Sequence, residues 1–147
     1  MTGAPVPAAA SACTACAGRW PDLADRIAEL HESILYLHTD QFFPGWSVLV
    51  LRRHATELFE LRPDERARLM DEVSDVARAL KLAFDARKVN YALFGNLVPH
   101  VHWHLVPRLS TDPAPHEPVF AVPHAPVGLR QIERTDRISL IQGHLGR

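Results

Sequence analysis

The chain has 147 residues, 47% of them hydrophobic and 22% charged, which is the size and composition of one globular domain with a single core. Sixteen basic against seventeen acidic residues give a net charge of -1, which excludes the cationic surface needed to bind long nucleic acid or a membrane. The sequence has no run of about 18 apolar residues, so we expect no transmembrane helix.

The first segment, residues 1–12, is rich in small residues and proline, and we interpret it as a flexible tail. It lacks the basic start and long apolar stretch of a secretory signal peptide. The two cysteines of the chain follow at Cys13 and Cys16, a spacing that suits a shared metal ion better than a disulfide between distant segments. Both observations favour a cytoplasmic protein.

Residues 22–30 are compatible with a short helix, and the β-branched and aromatic residues after them predict a strand from about Ser33. Pro44 and Gly45 are a typical turn pair, and the apolar run at 46–51 has the length of a strand. We therefore expect a β-hairpin around this turn.

The clearest helix is predicted over residues 63–84. Proline and two acidic residues occupy its first turn, where a fixed φ and negative charge are both favourable. Apolar residues then recur at helical spacing as far as Phe84. This periodicity predicts a helix with one face packed on a core.

Two further strands are predicted at 89–94 and 101–106, joined by a turn at 95–99, and Pro107 is expected to end the second. Between residues 107 and 126 there are six prolines and little periodicity, which indicates an extended surface segment. A terminal helix at 131–142 would pack through apolar residues, namely Ile132, Ile138 and Ile141. We expect residues 13–108 to form the functional domain and 109–147 to be an extension packed on it.

Three histidines, His100, His102 and His104, alternate with apolar residues. Because successive side chains of a strand point to opposite faces, the imidazoles share one face, and the other face is apolar: Val101, Trp103 and Leu105. We expect the apolar face to pack on the long helix and the histidines to face a cleft. Imidazole there can serve as nucleophile, base or metal ligand. No role is assigned to the isolated histidines: His31, His116, His124 and His144.

This pattern, His-x-His-x-His followed by two apolar residues, resembles the signature of the histidine triad family. The resemblance continues through the preceding segment Gly95-Asn96-Leu97-Val98-Pro99, the turn at Pro44 and Gly45 with its following strand, and His54. It covers roughly residues 13–108.

The resemblance implies that His102 attacks a nucleotide α-phosphate and forms a nucleotidyl-histidine, which water or another acceptor then resolves. It also implies that His104 contacts the phosphate and leaving group and that Asn96 lies beside the phosphates, where their donors stabilise developing charge. Leu97 departs from the Ser or Thr of many relatives, so one hydroxyl contact to the phosphate or leaving group is missing.

The nucleoside contacts are less well matched to the family pattern. Relatives usually carry Asp or Asn where this chain has His38, and Asp40 is the alternative ribose contact through a shifted loop. Trp46 stands where many relatives carry histidine. Its side chain either has a packing role or lines the base pocket. Asn90 is a further candidate nucleotide contact, with a turn role as its alternative. Arg108 can reach a distal phosphate or pair with a nearby carboxylate.

Zinc-containing relatives combine such a cysteine pair with two histidines, and the matching positions are His54 and His100. The resemblance therefore implies a closed Cys2His2 zinc site made by Cys13, Cys16, His54 and His100, with a structural role. The alternatives are free thiols in a tail, or a family member without metal. We expect no organic cofactor.

The resemblance implies an α+β, HIT-like fold: an antiparallel sheet of about five strands with one long helix and a short C-terminal helix. It also implies a homodimer. The expected activity is that of a nucleotide hydrolase or nucleotidyl transferase, with dinucleoside polyphosphates as the leading substrate class, nucleoside phosphoramidates as the other and adenosine as the base.

Two other classes of function fit the same residues. The three histidines can form a catalytic zinc site with an open position for water. The fold can also serve as a nucleotide-binding module without turnover.

Overall fold

The computed structural model describes residues 12–146, so the predicted tail, apart from Ala12, lies outside the described residues. The strands and helices are, in chain order, β1 Arg26–Glu29, β2 Ser33–Leu37, β3 Ser47–Leu51, α1 Pro63–Ala83, β4 Lys88–Ala92, β5 His102–Arg108 and α2 Gln131–Gln142. Short 3₁₀ turns occur at Leu23–Asp25, Leu58–Glu60 and Val119–Ala121.

The five strands form one antiparallel sheet in the order β1-β2-β3-β5-β4. β5, which carries the histidines, is therefore an inner strand with β3 on one side and β4 on the other. In the β3–β5 register Val50 lies opposite His102 and Val48 opposite His104. With the two helices, this arrangement confirms the predicted α+β class.

One face of the sheet packs on both helices. Leu49 and Leu105 are fully buried there against Val76 and Leu80 of α1, and α2 contributes Ile141 to the same core. Burying each such side chain contributes about 1.5–3 kcal/mol. Trp103 packs against this cluster, as expected for the apolar face of the histidine strand.

The opposite face of the sheet carries a second cluster, in which Tyr36, Val48 and Val50 are buried. Trp20, from the segment that follows the two cysteines, packs on this cluster. The amino-terminal segment thus covers the face of the sheet from which His102 and His104 project.

The long helix closely follows its prediction. Pro63 is its first residue, and the Glu65 carboxylate accepts a hydrogen bond from the Arg62 N–H at 2.8 Å, which satisfies one of the free donors at the helix start. The terminal helix has the predicted bounds. Within residues 12–146, no helix combines the length and the apolar character that crossing a membrane requires.

The hairpin turn between β2 and β3 needs glycine at position 45. Its φ is +89°, and a Cβ built there would lie 2.5 Å from a ring atom of Phe84 and 2.8 Å from Pro107. Any other side chain would therefore have to displace Phe84 and Pro107.

The predicted helix at 22–30 is wrong. Asp22 accepts a hydrogen bond from the Ala24 N–H at 2.9 Å and caps only a three-residue 3₁₀ turn, after which the chain enters β1. Antiparallel pairing with β2 brings Ile27 into the main core. Sheet pairing satisfies this backbone and therefore outweighs the local compatibility with a helix.

The prediction that Pro107 ends its strand is also wrong, because β5 continues to Arg108. The β3–β5 pairing reaches only Leu105, whereas β4 continues to pair with β5 through Val89 and Pro107. Proline thus falls where β5 has a neighbour on one side only, a position that tolerates a residue without an N–H donor.

Candidate functional site

The middle histidine of the strand is held in one tautomer. His102 is buried, and its Nδ1–H donates to the His100 carbonyl at 2.6 Å. A carbonyl only accepts, so Nδ1 carries the proton and Nε2 keeps its lone pair. Burial lowers the pKa of His102, although the His100 carbonyl opposes this shift. His102 therefore presents a neutral imidazole with an unprotonated Nε2.

The third histidine, His104, is held in the opposite tautomer. Trp46 donates its indole N–H to Nδ1 of His104 at 3.1 Å, so in the neutral ring Nε2 must carry the proton. Burial, with smaller contributions from the nearby His102 and His38, lowers the pKa of His104 to about 3. His104 is thus a neutral hydrogen-bond donor beside the lone pair of His102.

His38 and Asp40, the two candidate ribose contacts, have different surroundings. His38 lines the cleft and stacks on Trp46, with ring centroids 4.1 Å apart and an interplanar angle of 11°. Asp40 is turned towards the carboxy-terminal segment: one oxygen accepts from the Phe42 and Val127 N–H groups, both at 2.9 Å, and the other faces His124. Its carboxylate is fully engaged outside the cleft.

The two candidate asparagines, Asn96 and Asn90, lie in different pockets. Asn96 is exposed and lines the same cleft as the histidines. Asn90 lies in a neighbouring pocket, where its side-chain oxygen accepts from Arg108 at 2.7 Å. Arg108 is buried and also bonds the Asp112 carboxylate and the carbonyls of Ala114 and Glu117, so it takes the carboxylate-pairing role.

The histidines open into a cleft of about 500 Å³ that also includes aromatic residues missed by the sequence reasoning. Trp20 meets His102 edge to face at 4.8 Å between ring centroids, and Phe120 meets His104 at 5.2 Å. Phe94 in turn packs against Phe120. Trp20 follows the cysteine pair and Phe120 lies in the proline-rich segment, and neither position carries a local signal for a site.

The first histidine of the strand belongs to a separate cluster. The ligand atoms of Cys13, Cys16, His54 and His100 all lie within 4.8 Å of one another. Both cysteines are free thiols, so no disulfide competes for these sulfur atoms. This cluster is the group of four that the sequence analysis assigns to a metal.

The spacing of these atoms fits a tetrahedral metal ion. Nδ1 of His100 lies 3.6 Å from Sγ of Cys13 and 3.5 Å from Sγ of Cys16, and Nδ1 of His54 lies 3.3 Å from Sγ of Cys16. Zinc with bonds of about 2.3 Å to sulfur and 2.0–2.1 Å to nitrogen separates such ligands by about 3.5 Å. The chemistry and spacing of the donors both fit zinc.

A hydrogen bond to the backbone also orients the ring of His100. Its Nε2–H donates to the Leu51 carbonyl at 2.7 Å, which leaves the Nδ1 lone pair directed at the cluster. Its own carbonyl accepts the Nδ1 proton of His102. One residue therefore connects the metal cluster to the histidine that faces the cleft.

His124, to which the sequence analysis gave no role, fixes the segment after the 3₁₀ turn at Val119–Ala121. Its Nε2–H donates to Asp40 at 2.7 Å and its Nδ1–H donates to the Val122 carbonyl at 2.8 Å, so both nitrogens favour the protonated ring. These bonds raise the pKa of His124. Burial raises the pKa of Asp40, but hydrogen bonds from Val127, His124 and Phe42 bring it below its ordinary value.

This ion pair predicts a pH-dependent loss of stability in the variant His124→Ala. Because the pKa of His124 is raised in the folded protein, its protonation contributes full stability below about pH 6.5. This contribution is lost as the pH rises through the folded-state pKa. Because the pKa of Asp40 is lowered, its ionised carboxylate contributes stability above about pH 3.8, and this contribution is lost as the pH falls through the folded-state pKa. We expect a cost of about 1–2 kcal/mol at pH 5.5 and a smaller one at pH 8.5, measured by denaturant unfolding.

The matched control is His116→Ala, which alters an exposed histidine in the same proline-rich segment. We expect its free energy of unfolding to stay close to that of the original chain at both pH values. An equal cost of His124→Ala at pH 5.5 and 8.5 would contradict the ion pair.

The family model described as HIT domain matches residues 23–111. A histidine triad protein from Bradyrhizobium japonicum has 35% sequence identity and a TM-score of 0.75, over 82% of this chain and 91% of that chain. The chain therefore belongs to the histidine triad family, and its HIT-like fold is confirmed.

Two more distant relatives add context. A Zn-bound histidine triad family protein from Mycobacterium smegmatis has 24% identity and a TM-score of 0.66, over 92% of this chain and 94% of that chain, a likeness in fold. The asymmetrical bis(5'-nucleosyl)-tetraphosphatase of Schizosaccharomyces pombe is 27% identical over 94 residues, 60% of this chain. The chain spans about half the length of this curated relative, 52% of which is covered.

Proposed function

We propose that this protein hydrolyses or transfers nucleotides at the α-phosphate through a nucleotidyl-histidine on Nε2 of His102. The observation that carries this proposal is the 2.6 Å hydrogen bond from Nδ1–H of His102 to the His100 carbonyl, which leaves the Nε2 lone pair available. Nucleophilic catalysis needs an unprotonated nitrogen at neutral pH. The lowered pKa of His102, caused by burial, supplies that form.

The reaction proceeds in two displacements. In the first, Nε2 of His102 bonds to the α-phosphorus, the bond to the leaving group breaks, and the leaving group takes a proton from solvent if it needs one. In the second, water or another acceptor attacks phosphorus and the P–Nε2 bond breaks. With water as acceptor, its hydroxyl stays on phosphorus, its remaining proton returns to solvent, and His102 is regenerated.

The neighbouring side chains stabilise charge on the phosphoryl oxygens. Nε2–H of His104 and the side-chain amide of Asn96 are neutral donors that line the same cleft. His38, stacked on Trp46, contacts the ribose or base from the cleft wall. Asp40 and Asn90 support the nucleotide site indirectly. The backbone N–H of Asp40 donates to Nδ1 of His38, and the side-chain oxygen of Asn90 accepts from Arg108.

The cluster of Cys13, Cys16, His54 and His100 holds a structural zinc ion in this proposal. Four protein ligands close the coordination shell, so the ion has no open position for a water molecule. The ion would fix the amino-terminal segment against the sheet, where Trp20 contacts His102. The free thiols of this cluster fit a reducing cytoplasm.

The proposed substrates are adenine nucleotides, and the proposed assembly is a homodimer. The yeast relative is a dinucleoside tetraphosphatase, which supports hydrolysis of a nucleotide phosphoanhydride. β4 lies at the edge of the sheet, and its exposed Tyr91 offers apolar surface for pairing with a second copy.

The test of this function is a substrate panel of diadenosine polyphosphates, an adenosine phosphoramidate and adenylyl sulfate, with AMP release measured over time. Turnover of at least one compound is expected, and it should persist after brief exposure to a weak chelator. Binding without AMP release would make the chain a non-catalytic nucleotide-binding module. Activity that depends on a metal bound to His102 and His104 would indicate a catalytic metal site.

Trp46 is a positioning residue for His104 in this mechanism. Replacing Trp46 with phenylalanine removes the indole donor, and we expect kcat to fall about tenfold, the effect of one lost hydrogen bond of about 1–1.5 kcal/mol. Trp46→His, the residue of many relatives, restores a donor and should recover part of the rate. The specific measurement is the ¹⁵N chemical shift of His104, which should report mixed tautomers in Trp46→Phe. An unchanged tautomer would contradict this role.

A further inference from the structure

The two cysteine sulfurs differ in their access to solvent. Cys16 is exposed, whereas Cys13 is buried and only 2% exposed. Their sulfur atoms lie within 4.8 Å of each other, as members of the cluster with His54 and His100. A reagent dissolved in water therefore reaches Cys16 first, and Cys13 lies close enough to react with the product.

A tight turn brings the two sulfurs together. The Cys13 carbonyl accepts from the Ala17 N–H at 3.0 Å, and the Thr14 carbonyl accepts from the Trp20 N–H at 3.2 Å. Two cysteines separated by two residues in such a turn can close a disulfide without moving distant parts of the chain. The same turn holds Trp20, whose ring contacts His102.

The proposed metal site also determines the chemical form of the sulfurs. Cysteine sulfurs that hold zinc are thiolates. A thiolate is the form that a hydroperoxide oxidises, and an exposed thiolate beside a second sulfur is the arrangement of a reversible redox site. Cys16 supplies the attacking sulfur of such a site and Cys13 the resolving one.

We propose that Cys16 is a modification site for hydroperoxides, and that its oxidation closes a disulfide with Cys13, releases the structural zinc ion and detaches Trp20 from His102. This inference rests on the zinc site of the proposed function and adds a reversible control to it.

The oxidation by hydrogen peroxide proceeds in two steps. Sγ of Cys16 attacks one peroxide oxygen, the O–O bond breaks, and the departing hydroxide takes a proton to become water. Sγ of Cys13 then attacks the sulfenic acid on Cys16, an S–S bond forms, the S–O bond breaks, and a second hydroxide leaves and takes a proton. The sulfur pair is oxidised by two electrons, and the peroxide is reduced by the same two.

Disulfide formation removes two of the four metal ligands. The remaining pair, His54 and His100, is only half of a tetrahedral zinc site. The His100 ring keeps its bond to the Leu51 carbonyl, but the amino-terminal segment is no longer attached to the sheet through the metal. We expect Trp20 to move away from the His102 ring, which it meets at 4.8 Å between centroids.

The experiment exposes the reduced, zinc-loaded full chain to hydrogen peroxide and follows zinc released to a coloured chelator, free thiols in denaturant, and intact mass. We expect one equivalent of zinc to be released per chain, both thiols to be lost, and the mass to fall by that of two hydrogen atoms. Metal and thiols should be lost on the same time course. Dithiothreitol should restore both thiols, and the chain should then take up added zinc again.

Two single variants test which sulfur reacts first. Cys13→Ser and Cys16→Ser each remove one ligand of the same cluster, so they differ in the sulfur that stays. Under peroxide, the sulfenic-acid trap dimedone should label Cys16 in the first variant about tenfold faster than Cys13 in the second. Brief alkylation of the zinc-loaded original chain, mapped by peptide mass, measures the same order without a substitution. Equal labelling of the two sulfurs in both measurements would overturn the assignment of Cys16.

The ring protons of His102 report the effect on the cleft. The Trp20 ring shifts their NMR signals at the observed distance, so complete oxidation should move these signals. The signals of His31, which is 75% exposed, should stay in place. Unchanged His102 signals in the fully oxidised chain would overturn the detachment of Trp20.

The outcomes separate this inference from the zinc site on which it rests. A chain that keeps its zinc and both thiols while peroxide oxidises Met70, which is 47% exposed, would overturn the modification site and leave the zinc site intact. A reduced chain that binds no zinc would overturn both. Oxidation of Cys16 to a sulfinic acid without a disulfide would overturn the reversible pair. AMP release by the reduced chain tests the proposed reaction separately.

Discussion

The variant His102→Ala is expected to lower kcat for AMP release by about four orders of magnitude and to abolish the covalent nucleotide adduct. The imidazole Nε2 is the proposed attacking atom, and removing a nucleophile typically leaves only the small rate that binding and charge stabilisation provide. Steady-state AMP release measures the rate. Intact mass after rapid acid-free quenching measures the adduct, which should appear in the original chain alone.

The control for this experiment is His31→Ala. The His31 side chain is 75% exposed and pairs with Glu32 outside the cleft, so its loss should change neither the rate nor the adduct. Unfolding curves for both variants establish that any loss of activity is not a loss of fold. Equal turnover by the original chain and His102→Ala would refute the assignment of the nucleophile.

Much of the site was predictable because a strand alternates its side chains. The pattern from His100 to Leu105 separates a polar face from an apolar one, and the structure has Leu105 in the core and His102 and His104 in a cleft. This separation depends only on the two-residue period of a strand. The long helix was predictable for a similar reason, since its apolar residues repeat at helical spacing.

The remaining parts depend on contacts between distant segments, which periodicity does not encode. His124 and Asp40 are 84 positions apart and meet only because the proline-rich segment crosses the hairpin loop. Phe120 reaches the cleft because buried Arg108 holds the preceding loop by its carbonyls. The short helix predicted at 22–30 failed for the same reason, since β1 exists only by pairing with β2.

The histidine strand therefore serves two neighbouring centres through one residue. His100 directs its ring at the cysteine cluster and its carbonyl at Nδ1 of His102. The cysteines lie on the segment that brings Trp20 against the same His102 ring. Order in the cluster and the orientation of His102, the proposed nucleophile, are thus linked through these two contacts.

Removing a ligand of this cluster is the second change for which we expect a large effect. In Cys16→Ser, bound zinc should fall from one equivalent per chain to near zero, because a hydroxyl is a poor replacement for a thiolate. The melting temperature should fall by about 10 °C or more, since metal binding is coupled to folding of its segment. Elemental analysis of dialysed protein and thermal unfolding with and without added zinc measure these effects.

The partner experiment distinguishes a structural ion from a catalytic one. His102→Ala should retain its full equivalent of zinc, because His102 is outside the cluster and its Nδ1–H donates to the backbone carbonyl of His100. Zinc that is lost with His102 or His104 but retained in Cys16→Ser would assign the metal to the cleft instead. Zinc lost in Cys16→Ser and retained in His102→Ala would assign the metal to the cluster that contains His100.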